Sequence, residues 1–389
     1  MNIWRLCGVV VVAGALAGTI GTGYAEETND DLFAGWLAQL RHEAATIAAE
    51  MDQPRTLVSY GPMLRAGSAG PRVAELAQRL HELELLDDAG LEASGGVFTE
   101  EIEEAVQAYQ AQLGLFVDGV VGPQTLNALN RSREDALRAI AWTIREVEEL
   151  REEAPPVFLQ VNVPSMEALL IRDGSVARRM HAAVGRGDRQ TPIMEDRVVE
   201  VVLNPVWSVP PTIMREDVLP RLRSSGAPGV SQSRVYLDGQ EVDPGAVDWS
   251  EVDPSRIYIT QRPGGHNALG RYLFYLTNNQ GIFLHDTNTP GVFSRAHRGV
   301  SSGCVRLEQA AELATLLLRP QGLDAEDIQR RVAQGGTQRF PLDEPLPVFI
   351  TYWTATVVPD VGIVIHDDIY YRMNGFSAEL PTDGNAVSG

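Results

Sequence analysis

Cys304 and His285 are the two residues whose types and surroundings could carry covalent chemistry. His285 follows the apolar run Ile282-Phe283-Leu284 and precedes Asp286, which reads as a strand whose end presents an imidazole. Cys304 lies in Ser301-Ser302-Gly303-Cys304-Val305-Arg306, where the glycine lets backbone approach whatever the sulfur attacks. A free thiol ionises near pH 8.5, roughly, so a nucleophilic cysteine at neutral pH needs a base. His285 is the expected base and His297, in the loop before Cys304, the second candidate. Main-chain N–H groups near Gly303 and Cys304 could stabilise an oxyanion. A further group should orient the imidazole, and a backbone carbonyl could serve. The planar fork of Arg306 suits a carboxylate or a brace across the loop.

Rival chemistries fit less well. His285, Asp286, His297 and Cys304 are all metal-binding types, but none of them share the close paired spacing of zinc motifs, so no metal site is expected. Ser301 and Ser302 lack a Gly-x-Ser-x-Gly elbow. Gly185-x-Gly187 lacks the third glycine and the following helix of a dinucleotide fingerprint. No cofactor is indicated.

The rest of the chain must position this pair. Its 389 residues exceed one ordinary domain, and 44% hydrophobic with 22% charged residues describes a globular protein. A net charge of −20 argues against nucleic acid as partner. Arg5, the apolar stretch from Leu6 to Ile20 and the small residues around Gly23-Tyr24-Ala25 read as a secretory signal over 1–25, shorter than a spanning helix needs. Its removal predicts a periplasmic protein with no stable membrane insertion; an uncleaved anchor is the alternative. Of the two cysteines, Cys7 would leave with that segment, so Cys304 would have no intramolecular disulfide partner.

Helical spacing predicts an N-terminal helical segment over 26–59 that packs on a later domain. Between 60 and 130, amphipathic helices alternate with glycine turns, and Thr99 reads as an N-cap. Leu64-Arg65-Ala66-Gly67-Ser68, the run from Phe98-Thr99 to Ala105-Val106, and Asp118-Gly119-Val120-Val121-Gly122 with Thr125-Leu126 resemble the small helical peptidoglycan-binding module. A linker helix over 131–156 ends at Pro155-Pro156. From 157 to 376 β-branched and aromatic alternation predicts a mainly β domain, giving an α+β multidomain chain with a mobile tail over 377–389. Expected elements include a helix over 214–219, a helix over 310–318, and closing strands over 348–356 and 363–369.

His285-Asp286, a loop, and Ser301-Ser302-Gly303-Cys304-Val305-Arg306 resemble the signature of the L,D-transpeptidases, cysteine enzymes that cross-link bacterial peptidoglycan. Val184-Gly185 to Thr191-Pro192, Asn204-Pro205-Val206-Trp207-Ser208-Val209-Pro210, Pro263-Gly264 with Asn267-Ala268-Leu269-Gly270, and Asp368-Ile369-Tyr370 resemble further family segments. The resemblance implies His285 as base, Cys304 as nucleophile and a thioester acyl-enzyme formed with release of D-alanine. It implies Gly303, Ser302 and Arg306 as oxyanion or positioning residues, and Trp207, Asn267, Tyr272 and Asp286 along the substrate cleft. Many members carry a second histidine where this chain has Ser302, which leaves that position's role open. An insertion over about 212–256 is expected to cap the cleft. The implied partners are a tetrapeptide donor stem, a second stem as acceptor, and carbapenem β-lactams as inhibitors. Hydrolysis by the same pair, as carboxypeptidase or endopeptidase, and an inactive wall-binding protein remain alternatives.

Overall fold

The computed structural model describes residues 28–376, so the expected signal segment and C-terminal tail lie outside the described residues. Asn29–Ala49 forms α1, whose N-cap Thr28 exchanges a reciprocal capping box with Asp31. Four helices follow: α2 (Pro71–Glu82), α3 (Asp88–Ser94), α4 (Glu100–Gln112) and α5 (Pro123–Asn130). They enclose a core of their own, with Leu76, Leu80, Ile102, Val106 and Leu129 fully buried. Thr99 accepts from the Ile102 N–H at the start of α4, as its position before the apolar run predicted. Gln110 is 1% exposed, and its amide oxygen accepts from the Asp118 and Gly119 N–H groups, fixing the turn before α5.

α6 (Arg133–Glu153) pairs with α1, and the two do more than link. Phe33, Leu37, Ile140, Ile144 and Val147 bury against Phe158, Leu169, Ile171 and Phe349 of the sheet. The segment read as a linker helix is therefore a layer of the second domain. Its apolar stripe at three- and four-residue spacing needs a partner, and the sheet's outer face provides one.

The main sheet comprises β1 (Val157–Asn162), β2 (Glu167–Arg172), β3 (Ser175–Gly185), β4 (Met194–Leu203), β9 (Tyr272–Leu276), β10 (Leu284–His285), β11 (Gly299–Ser301), β12 (Val305–Leu307) and β13 (Gln338–Thr351). Their order is β11-β3-β12-β10-β9-β4-β13-β1-β2, and a further β2–β3 pairing closes the sheet on itself. Side chains alternate across each strand. Leu159, Val161, Ala168, Leu170, Val348 and Ile350 face the barrel core, while Phe158, Leu169, Ile171 and Phe349 face α1 and α6. Burial on both sides explains why these strands read as unbroken apolar runs. α9 (Ala310–Leu318) and α10 (Ala325–Gln334) contribute Leu313, Leu318, Ile328 and Val332 to the barrel core.

The closing strands differ from expectation. Val348–Thr351 ends β13, and the chain turns at Tyr352-Trp353-Thr354 before a separate hairpin of β14 (Ala355–Val358) and β15 (Gly362–Ile365). β-branched and aromatic residues continue through that turn, so composition alone did not mark the break.

The expected capping insertion is a small folded unit with wider bounds. β5 (Trp207–Ser208), β6 (Ser233–Leu237), β7 (Gln240–Val242) and β8 (Ile257–Gln261) form a second sheet, ordered β5-β8-β6-β7. It covers a core containing Met214, Leu222, Trp249 and Ile259. The expected short helix is longer: α7 (Pro211–Ile213) passes through a π-helical turn over Met214–Val218 into α8 (Leu219–Ser225).

Candidate active site

β10 runs parallel to β12, with Leu284 opposite Val305 and His285 opposite Arg306. Strand alternation then places Cys304 and Arg306 on the face of His285, while Val305, Leu307 and Leu284 anchor the opposite face in the barrel core. A cavity of about 440 Å³ opens above this floor. Cys304, His285, Gly303, Ser302 and Arg306 line it, and the cap supplies Trp207 and Ile213.

The imidazole's orientation follows from one contact. His285 Nδ1 lies 2.5 Å from the main-chain oxygen of Asp286. A carbonyl can only accept, so Nδ1 carries the proton and Nε2 is left as the basic nitrogen. His285 is 5% exposed, and burial, with the Arg306 charge beside it, lowers its pKa to about 4. Burial also pushes the Cys304 thiol above its ordinary value, against smaller opposing effects of a main-chain hydrogen bond and Arg306. Both shifts favour neutral forms. Thiol and imidazole therefore both rest neutral on the wall of one cavity, and the Cys304 thiol donates to the Gly281 carbonyl at 3.6 Å.

The turn before Cys304 is held on every side. The Ser301 hydroxyl donates to the Cys304 carbonyl at 2.5 Å and accepts from the Gly303 N–H at 3.1 Å. The Gly303 N–H is thereby occupied by the Ser301 hydroxyl. The Cys304 N–H makes no hydrogen bond among the described residues and remains available. Gly303 adopts φ +113°, and a Cβ there would meet Ile282 Cδ1 at 3.1 Å. Thr191 Oγ1 donates to the Gly303 carbonyl at 2.8 Å and accepts from the Gly185 N–H at the same distance. Tyr370 completes the brace from the C-terminal segment, its hydroxyl donating to the Gly185 carbonyl and accepting from the Thr191 N–H. A Cβ on Gly185 would sit 2.2 Å from the Arg189 carbonyl, so this turn requires glycine.

Ser302 faces outward and accepts from Arg189, whose guanidinium also pairs with Glu216 and Asp217 of the π-helical turn. Arg189 thus joins the catalytic-loop candidate to the cap. Arg306 Nε is buried without a hydrogen-bond partner among the described residues, and it borders the cavity.

Three expected cleft residues do other work. Tyr272 packs in the barrel core. Asn267 is fully buried, and its amide donates to the carbonyls of Pro205 and Arg262, bracing its own loop. The Asp286 carboxylate accepts from the Arg271 N–H and turns away from the cavity. Of that set, Trp207 alone lines it. His297 borders a different cleft and is not beside Cys304's cavity.

The YkuD L,D-transpeptidase catalytic domain model matches residues 156–350, half of the chain. The chain belongs to the L,D-transpeptidase family. A peptidoglycan binding domain model matches residues 69–129, within the helical module. A Haemophilus influenzae protein whose assigned name is that of an L,D-transpeptidase is 35% identical over 212 residues, covering 54% of this chain and 43% of that protein. The chain therefore spans less than half of that relative. Solved structures with similarity include an L,D-transpeptidase from Mycobacterium smegmatis, 13% identical with a TM-score of 0.26, covering 50% of this chain and 58% of the other. Another is L,D-transpeptidase 3 from Mycobacterium tuberculosis in complex with a faropenem-derived adduct, 14% identical with a TM-score of 0.25, covering 51% and 61%.

Ser301, Thr191, Arg189 and Tyr370 are the positioning residues that single-residue reasoning passed over in this L,D-transpeptidase domain. All four lie inside segments noted for their resemblance, which was the one available signal. Arg298 is another: only 9% exposed, it donates to the carbonyls of Ala182, Ser165, Met166 and Arg295, pinning the loop between β10 and β11 to the barrel.

Proposed function

We propose that the protein is an exported L,D-transpeptidase in which Cys304 is the nucleophile and His285 the general base. The observation that carries this reading is the sharing of one cavity by the Cys304 thiol and the His285 imidazole, with Nδ1 committed to a main-chain carbonyl. The thiol proton passes to Nε2 as sulfur attacks the carbonyl carbon of the L-to-D bond in a tetrapeptide stem. The Cys304 N–H, which has no hydrogen-bond partner among the described residues, would stabilise the oxyanion, a contribution of about 3 kcal/mol in comparable sites. The imidazolium returns the proton to the departing D-alanine amine, leaving a thioester. The amine of a second stem then attacks, its proton goes to Nε2, and collapse expels the thiolate, which takes the proton back.

Generation of the thiolate within the encounter suits a buried site, because a standing ion pair there would lose its hydration. Arg306 supplies a fixed positive charge beside the developing oxyanion and can meet a substrate carboxylate. A carbapenem presents a strained acyl group of the same reactivity, and it should acylate Cys304. The helical module would hold the enzyme to the wall outside the cytoplasm.

Purified protein incubated with a disaccharide-tetrapeptide should release D-alanine and yield a cross-linked dimer by mass spectrometry. Tripeptide without dimer would assign water as acceptor and overturn the transferase reading. Unchanged substrate would overturn the enzyme reading.

A further inference from the structure

A second cleft of about 660 Å³ opens where the helical module meets α6, the loop that carries His297 and the C-terminal segment. Two tyrosines border it with their side chains largely in solvent: Tyr60 is 77% exposed and Tyr371 74%. Tyr371 also sits in the left-handed region at φ +57°, a conformation that costs an aromatic residue and persists only when its surroundings enforce it. Asp368 enforces it. Its carbonyl accepts from the Tyr371 N–H, and its carboxylate accepts from the N–H groups of Arg372 and Met373 and from the Tyr352 hydroxyl. Tyr371 gains no packing from this arrangement, so a strained turn is maintained while its ring is offered to solvent.

Both guanidinium groups of the cleft are committed to carboxylates. Arg131 pairs with Asp367 at 2.8 Å and donates to the Ile365 carbonyl, which ties the module to the C-terminal segment. Arg138 pairs with Asp135, and the Asp368 carboxylate is occupied by the turn. The amides of Gln124, Asn127 and Asn374 also border the cleft and make no side-chain hydrogen bond among the described residues. Exposed aromatic faces, free neutral amides and guanidinium groups already committed to carboxylates suit a ligand without negative charge that carries hydroxyl and amide groups and has apolar C–H faces to lay on a ring. The Cys304 cavity differs in having at its wall the Arg306 guanidinium, whose buried Nε has no hydrogen-bond partner among the described residues.

We propose that this junction cleft is a glycan-binding site for an uncharged N-acetylhexosamine chain, distinct from the cavity that takes the peptide. The link to wall glycan rests on the proposed function; the binding chemistry does not. Residues of the module and of the catalytic domain both contribute, so the glycan strand would be clamped between them while its stem peptide is left free to reach Cys304.

Calorimetric titration of the full chain with tetra-N-acetylchitotetraose tests this, with a capped, sugar-free tetrapeptide as the comparison. Saturable binding of the oligosaccharide is expected, weakened about tenfold by Tyr60→Ser and about tenfold by Tyr371→Gly. Glycine adopts φ +57° freely, so Tyr371→Gly should keep or raise the melting temperature, which separates lost binding from lost folding. Carbapenem acylation of Cys304 should be unchanged in both variants. If acylation fails in every variant while glycan binding still responds to the two tyrosines, the catalytic reading falls and this one stands. Absence of oligosaccharide binding, equal affinity in wild type and both folded variants, or a tyrosine-dependent loss of peptide binding in place of glycan binding would overturn it.

Discussion

The floor of the Cys304 cavity and its roof are built on different terms. The floor is two short parallel strands locked in the barrel, and the Cys304 turn is held by Ser301, Thr191 and, through Thr191 and Gly185, Tyr370. The roof has its own sheet and its own core, and side-chain ion pairs from Arg189 to Glu216 and Asp217 fasten it to the floor. Such a division lets reacting atoms stay fixed while a covering unit can differ in position or composition. Under the proposed function, chemistry would sit on rigid strands while a separately cored unit controls access.

If the floor carries the chemistry, its variants should lose far more than those of the roof. His285→Ala should slow thioester formation by about 10³-fold or more, since a half-buried thiol with a raised pKa would have no proton acceptor. Stopped-flow acylation by a carbapenem reads this directly. Gly303→Ala should slow acylation by about 10²-fold, because φ +113° and the contact with Ile282 force the turn to move. Ser301→Ala should destabilise by about 1–3 kcal/mol, leaving the buried Gly303 N–H unpaired, measurable by urea unfolding. Arg189→Ala, on the roof side, should change acylation by about tenfold at most and speed proteolysis within residues 207–261, with the barrel's melting temperature little altered. Its ion pairs reach carboxylates that are 42% and 38% exposed, so their strength is modest. Equal losses at floor and roof would erase the distinction.

The histidine sharpens it further. His285 has a folded pKa of about 4 against an ordinary value of 6.5. Between those values the unfolded chain binds the proton and the folded chain does not, so stability is full above pH 6.5 and falls as pH drops toward 4. The contribution is roughly 3 kcal/mol across that window. Urea midpoints at pH 7 and pH 5 should differ less in His285→Gln than in wild type. The acylation rate should likewise hold from neutrality down to about pH 5.

Much of this was readable from residue order, and the reasons for the remainder are physical. β1, β2, α6 and α9 announced themselves because their apolar periodicity reflects the faces they bury. The candidate pair was legible because a histidine ending an apolar run and a cysteine after glycine are local patterns. The bracing was not. Ser301 looks like Ser302 in the sequence, and only the folded turn distinguishes the hydroxyl that binds Gly303 and Cys304 from the one that meets Arg189. Asp286 and Tyr272 flank or pair with the histidine strand, but alternation and the Arg271 contact turn them away. The neutral state of the pair was hidden for the same reason: it depends on burial, which nonlocal packing creates.

Intact-mass analysis of the protein after brief incubation with a tetrapeptide donor, quenched in acid and followed by peptide mapping, tests the central claim most directly. The account predicts one acyl group, carried as a thioester on Cys304, and no adduct in Cys304→Ala. An adduct on any other residue, or turnover retained in Cys304→Ala, would contradict it.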